Sequence, residues 1–232
     1  KQFGNNVVLN GFNLELHKGE NLVVMGKSGS GKSVMIKCIV GLENYDKGSI
    51  KVNNYEIQSL KRKELDVLRT EIGFLFQGSA LYDSMSVREN LEFPLRRHQK
   101  KTDKQENIEP LVIEALENVG LAHAIDLMPN ELSGGMKRRI ALARTLILKP
   151  SIILYDEPTS GLDPITSKEI ILLMKSIQKK YNTSSIIITH DLDCAKAIAN
   201  RIILLIDGKN YAEGTFEKLQ SSNDIKIKAF FK

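Results

Sequence analysis

Asn21-Leu22-Val23-Val24-Met25-Gly26-Lys27-Ser28-Gly29-Ser30-Gly31-Lys32-Ser33 reads as an apolar strand, a glycine-rich loop and the start of a helix. Gly26 to Ser33 matches G-x-x-x-x-G-K-[ST], between strand and helix as that motif requires. The glycines at 26, 29 and 31 let the backbone curl, so that successive N–H groups from Gly26, Lys27, Ser28, Gly29, Ser30, Gly31 and Lys32 face phosphate oxygens. A helix from Ser33 to Val40 adds the positive end of its dipole, and Gly41 is placed to end it. Lys32 supplies a point charge for β- and γ-phosphates, and Ser33 a hydroxyl for Mg²⁺.

Such a loop needs a second strand that ends in a carboxylate. Ser151-Ile152-Ile153-Leu154-Tyr155-Asp156-Glu157 provides it. Asp156 is placed to hold Mg²⁺, directly or through its water, and Glu157 to polarise an attacking water.

Outward from these two stretches the chain is organised as β, then helical, then alternating. Val7–Leu9 is a short apolar run, and Phe12, Leu14 and Leu16 alternate with polar residues as a half-buried strand requires. Ser49–Val52, an Asn53-Asn54 turn and Tyr55–Ile57 form a hairpin; Ile72–Phe76 is a strand. From about Gly78 to Glu131 helical patterning takes over: Ile108, Leu111, Val112, Ala115, Leu116 and Val119 share one helix face that Gly120 closes. Arg96 to Lys104 is basic and reads as an exposed connection. A helix from about Gly134 to Leu148 stops before Pro150. Strands at Ile152–Tyr155 and Ile186–Thr189 alternate with a helix through Ile170, Leu173, Met174 and Ile177 and a short helix ending near Ala199. Ile202–Ile206, Asp207-Gly208 and Tyr211 make a last hairpin. Strand–helix alternation implies an α/β chain with a mostly parallel sheet covered on both faces.

The bulk properties suit one domain of 232 residues: 42% hydrophobic, 26% charged, net charge +5. That charge reads as solvated surface, with no nucleic-acid partner expected. Cys38 and Cys194 are far apart, in no metal-ligand spacing, and read as buried thiols of a reducing compartment. No apolar run reaches the length that spans a bilayer, and no cleavable signal is legible at the start. The chain opens on Lys1 rather than Met, so further N-terminal residues are expected.

The two phosphate motifs occur in many unrelated ATPases and GTPases. Leu132-Ser133-Gly134-Gly135-Met136-Lys137-Arg138-Arg139 separates them. Ser133 is a good N-cap, and Gly134 and Gly135 expose N–H groups at a helix start, a second anion-binding surface. One chain has no use for two γ-phosphate sites, so the second serves a partner's nucleotide. This segment closely resembles the signature motif of ABC transporter ATPases. Further pieces agree in order: Gln77 resembles the Q-loop glutamine, Ser160-Gly161-Leu162-Asp163 the D-loop, His190 the switch histidine, and Phe3 the adenine-stacking aromatic. The resemblance implies a P-loop NTPase core of the ABC ATPase type with a mostly parallel sheet, an antiparallel β-subdomain and a helical subdomain. It implies a single nucleotide-binding domain over 1–232, with the helical insert at about 78–149. It further implies hydrolysis of ATP with Mg²⁺ in a head-to-tail dimer, each ATP between Lys32 of one copy and Ser133 of the other. His190 would contact the γ-phosphate, Glu157 orient the water, and Gln77 sense Mg²⁺ and couple to a permease. Two departures stand out: Val34 replaces a second hydroxyl but keeps its N–H for phosphate, and Met136 replaces the usual signature glutamine.

Within the family, Met136 followed by basic residues is similar to the ATPases of Mla/Mce-type phospholipid transporters. So are Gly78 to Val87, Glu89-Asn90, Phe93-Pro94-Leu95-Arg96, Asp163-Pro164-Ile165-Thr166 and the ending Ile227 to Phe231. That resemblance implies a membrane permease whose cytoplasmic helix docks by Leu81 and Tyr82, an Mce-domain lipid-binding protein, and a peripheral place on the cytoplasmic face of the inner membrane. The alternatives are an ATPase for amino acids or lipoproteins, a soluble ABC protein acting on ribosomes or DNA, and a non-enzymatic scaffold. Glu157 and His190 disfavour the last.

Overall fold

The structure is a computed structural model that describes residues 1–98 and 107–231. β1 (Gln2–Phe3) and β2 (Asn6–Val7) form a short antiparallel pair. β3 (Asn21–Met25) leads into α1 (Lys32–Ile39). β4 (Lys51–Val52) and β5 (Tyr55–Glu56) make the expected hairpin, with Asn53 and Asn54 at φ 48° and 67° in the left-handed conformation that a tight hairpin turn needs. Then come α2 (Arg62–Leu68), β6 (Ile72–Leu75), α3 (Val87–His98), α4 (Glu109–Asn118), α5 (Gly134–Leu146) and β7 (Ile152–Asp156). The chain ends with α6 (Pro164–Tyr181), β8 (Ser184–Ile188), α7 (Leu192–Ile198), the antiparallel pair β9 (Arg201–Ile206) and β10 (Lys209–Gly214), α8 (Phe216–Gln220) and α9 (Ile225–Lys228).

The main sheet has six strands in the order β10-β9-β3-β8-β7-β6, parallel except for the β9–β10 hairpin. Its central strands are apolar on both faces because both are covered. Val23, Met25, Ile153, Tyr155, Ile187, Ile202 and Leu204 face one cluster with Leu142, Met174 and Ala195 from α5, α6 and α7. Their neighbours Leu22, Val24, Leu154, Ile186, Ile203 and Leu205 face the other, against Met35 and Ile36 of α1. β3, β7 and β8 all run the same way, so their carboxyl ends open onto one crevice, where ligands of such sheets bind.

The helical lobe has its own core. Val87 and Leu91 of α3 and Val112 and Leu116 of α4 pack with Ile140, Ala143 and Ile147. The next face of α5, with Ala141, Leu142 and Leu146, belongs to the sheet's core. This helix therefore joins lobe to sheet. It starts at Ser133, whose Oγ accepts the Met136 N–H at 3.2 Å, and it ends where Lys149 turns left-handed at φ 52° before Pro150.

Two expectations are corrected, and one element was missed. Phe12, Leu14 and Leu16 alternate in burial with exposed neighbours but join no strand. A cavity of about 700 Å³ separates this segment from residues 45–53, so period two is imposed by the core below without a ladder partner. Arg96 and Arg97 are the last turn of α3, not a connection, as suits cations at a helix C-terminus; residues 99–104 lie outside those described. α2 passed unread because its sequence Arg62-Lys63-Glu64-Leu65-Asp66-Val67-Leu68 is charge-rich; Glu64 caps it by accepting the Lys61 N–H at 2.7 Å.

Arg201 at the start of β9 ties the sheet's end to Glu20: Nε donates to Oε1 at 2.7 Å and Nη2 to Oε2 at 2.9 Å, and Glu213 binds the same guanidinium. Burial alone would raise the Glu20 pKa, but the Arg201 hydrogen bonds and the His17 N–H outweigh it and hold it below the ordinary value. A depressed folded pKa gives stability that is present above the unfolded glutamate value and lost as pH falls through the folded one. Stability measured by urea unfolding is thus expected to fall less steeply from pH 5 to pH 3 in Glu20→Gln than in the wild type. An equal slope would show that Glu20 is not linked to folding.

Candidate active site

The loop between β3 and α1 is shaped by close contacts that side chains would block. A Cβ on Gly26 would lie 2.6 Å from Ser30 Oγ and 2.8 Å from Leu205 O, and Gly31 stands at φ 99° against Val8. Lys32 is buried, and its Nζ donates to Gly26 O at 2.8 Å and Lys27 O at 3.0 Å. Two of its three donors are so used, which aims the ammonium across the loop. Burial pulls the Lys32 pKa down, while the carboxylates of Glu157 and Asp156 hold part of it up. Ser30 Oγ is buried without a partner, the kind of orphan that a phosphate oxygen satisfies. Lys27, Ser28 and Gly29 are exposed at the rim, and Val34 is half-buried in the first turn of α1.

β7 brings the carboxylates to this loop. Ser33 Oγ donates to Asp156 Oδ1 at 3.2 Å. Burial pushes the Asp156 carboxyl pKa up, and the Ser33 hydrogen bond lowers it in part. A serine hydroxyl and a buried carboxylate are hard oxygen ligands, a set that suits a small divalent cation shared with phosphate. Glu157 follows at φ 50°, a conformation that costs a non-glycine residue roughly 1–3 kcal/mol. The fold holds it there: its N–H donates to Ile188 O at 2.9 Å and its carbonyl accepts the Ser160 N–H at 3.1 Å. The twist lays the carboxylate beside His190, whose Nδ1 is 2.8 Å from Glu157 Oε2. The His190 side chain is 72% exposed.

Lys32, Ser33, Asp156, Glu157 and His190 are thus gathered at the ends of three neighbouring strands. Gln77 stands after β6, exposed, with Nε2 donating to Ser160 Oγ at 3.4 Å. Phe3 is 45% exposed on the β1–β2 pair, under the Lys1 ammonium at 4.3 Å from its ring centre. Ser133, Gly134 and Gly135 join none of these groups. Their nearest neighbours lie toward α6: Leu162 for Gly134 at 3.9 Å and Thr166 for Gly135 at 2.7 Å from where a Cβ would stand. Ser133 and Gly134 face outward, exposed.

Arg138 and the Thr159–Asp191 pair went unread in the sequence. Thr159 Oγ1 donates to Asp191 Oδ2 at 2.9 Å, and Asp191 caps α7. Arg138 sits on the buried stripe of α5 with Ala141, Leu142 and Leu146 and is 3% exposed. A cation in an apolar helix stripe was its one legible signal. Leu81, expected in a docking groove, turns inward against the core, while Tyr82 is 44% exposed.

Residues 9–160 match the family described as "ABC transporter". The chain is similar to the methionine import ATP-binding protein MetN of Campylobacter jejuni subsp. jejuni serotype O:2, with 41% identity over 99% of this chain and 73% of that protein. It is similar also to the intermembrane phospholipid transport system ATP-binding protein MlaF of Haemophilus influenzae, with 40% identity over 99% of this chain and 86% of that protein. A dimeric post-hydrolysis structure of the ATP-binding cassette MJ0796 bound to ADP and Pi shares 34% identity and a TM-score of 0.80 over 90% of both chains.

Proposed function

The chain belongs to the ABC transporter family as an ATP-hydrolysing subunit, and from that premise we propose that it powers phospholipid transport of the Mla/Mce type. The catalytic reading is carried by the pairing of Glu157 with His190 at the end of the strand that also presents Asp156 to Ser33. In this reading Lys32 and the N–H groups of Gly26 to Val34 hold the phosphates, Phe3 stacks on adenine, and His190 Nε2 reaches the γ-phosphate. Glu157 holds and orients the attacking water. Ser33, Asp156 and Gln77 would hold Mg²⁺, which when bound supplies positive charge to the β- and γ-phosphate oxygens. Ser133, Gly134 and Gly135 would cover the nucleotide of a second copy, as the exposure of Ser133 and Gly134 allows.

The phospholipid reading rests on Met136 and the segments that accompany it. Met136 packs half-buried against the lobe's core, where a glutamine would leave an amide to satisfy. The similarity to MlaF spans most of that protein's length. The equal similarity to MetN favours a second reading, import of a small solute such as methionine. In the first reading the subunit sits at the cytoplasmic face of the inner membrane, on a permease served by an Mce-domain lipid carrier. The permease helix would fill the groove lined by Leu42, Phe76, Tyr82, Phe93, Pro94 and Arg97. No helix among the described residues is long and apolar enough to cross a membrane. The deciding experiment purifies the tagged chain with its membrane partner and reconstitutes both in phospholipid vesicles. ATPase stimulation by a co-purifying lipid-binding protein is expected. Stimulation by a solute-binding protein loaded with methionine, and none by the lipid carrier, would overturn the phospholipid reading.

A further inference from the structure

Arg138 is a cation buried with no acid beside it among the described residues. Its polar partners among the described residues are backbone carbonyls: Nη1 donates to Phe76 O at 2.8 Å, and Nη2 to Gln77 O at 2.5 Å and Ser160 O at 3.3 Å. Its Nε is buried with no partner among the described residues, and burial lowers its pKa. Packing alone gives no reason for this residue, since an apolar side chain of similar length fills a buried stripe at lower desolvation cost.

The three carbonyls share a place. Phe76 and Gln77 open the loop that leaves β6, and Ser160 lies three residues beyond Glu157 in the loop from β7 to α6. The first loop is held from within and from α5: Ser79 and Ala80 are both left-handed, at φ 61° and 51°, the Ser79 N–H donates to Phe76 O at 3.1 Å, and Arg144 of α5 donates to Ser79 O at 3.2 Å. The second loop also meets α5: its Leu162 lies 3.9 Å from where a Cβ on Gly134 would stand. Arg138 stands five residues after Ser133, on the helix whose first residues, Ser133 and Gly134, are exposed.

We propose that Arg138 is a positioning residue for hydrolysis: it fastens the loops that carry Gln77 and Ser160 to α5, so that the helix covering the second copy's nucleotide also sets where Gln77 stands in its own site. The link to the second copy rests on the two-chain reading above; the placement of Gln77 does not. A fork of donors is the means, because a guanidinium can serve three carbonyls from two loops at once.

The test compares R138M, R138K, Q77A and R138M/Q77A in the complex with the membrane partner, reading kcat and KM for ATP. R138M is expected to lower kcat about 10- to 100-fold, the cost of a small displacement of a positioned group, with KM within about threefold. R138K, whose ammonium still reaches carbonyls, is expected to return to within about fivefold of wild type. The double variant is expected to be no slower than the slower single one, because both act through one group. Wild-type kcat in R138M, no rescue by lysine, or additive losses would overturn the proposal. Where R138M does not fold, R138Q and R138K carry the comparison at matched melting temperature, and equal kcat in the two overturns it. Failure of the two-chain reading shows separately, as unimpaired hydrolysis in Gly134→Asp.

Discussion

Glu157→Gln protein is expected to bind ATP and almost cease to hydrolyse it. The substitution keeps side-chain length and leaves the backbone at φ 50° held by the Ile188 carbonyl, so the loop and its neighbours stay in place. It removes the negative oxygen that stands 2.8 Å from His190 and that would take up the water's proton or polarise it. Loss of a positioned general base costs on the order of 10²–10⁴ in rate, which phosphate release reads directly. Affinity for ATP is expected to hold or tighten, because a carboxylate facing the γ-phosphate disappears while Lys32, Ser33 and Asp156 are untouched. If two copies close on ATP and reopen after hydrolysis, the variant accumulates as an ATP-held pair, visible by light scattering. Wild-type turnover in this variant would strip Glu157 of the role.

The second large effect is expected in trans. Lys32→Ala removes the buried ammonium from the phosphate loop and should weaken ATP binding roughly 10²-fold, as the loss of a charge-assisted contact to phosphate does. Gly134→Asp acts elsewhere. A Cβ there meets nothing nearer than Leu162 at 3.9 Å, so folding is expected to tolerate the change, while a carboxylate is set where the second copy's nucleotide would sit. In a Glu157→Gln background, each variant alone should fail to pair when ATP is added. Mixed, they should pair, because a Gly134→Asp copy offers an intact phosphate loop and a Lys32→Ala copy an intact helix start. Two-fold symmetry makes one complete site from that mixture. If the mixture stays monomeric while a single unmodified copy completes its own site, the shared-nucleotide arrangement is wrong.

Much of this was legible along the chain because the chemistry is local. A phosphate loop is a few consecutive residues whose backbone wraps the ligand, and Asp156-Glu157 follow their strand directly. Buried strands announce themselves as apolar runs, as Leu22 to Met25 and Ile152 to Tyr155 do. The segment Phe12 to Leu16 shows where such reading ends. Its alternation is real in burial, yet a strand needs a partner at ladder distance, and no single segment carries that information. α2 escaped for the opposite reason: its charges hide a helix that rests on a cap and one buried face.

From the order of its residues alone, this protein's phosphate loop, its carboxylate pair, its second glycine cluster and its family could be named, since each depends on spacing within a few residues. Tertiary structure decided the rest: that Glu157 twists toward His190, that Leu81 turns inward, that Ser133 stands apart from its own phosphate loop, and that Arg138 ties the loops of Gln77 and Ser160 to one helix. The Arg138 and Glu157 contacts join residues between 22 and 62 positions apart in the chain, such as Arg138 with Ser160 and with Phe76. Only the packing of α5 between lobe and sheet brings such partners within reach of a hydrogen bond.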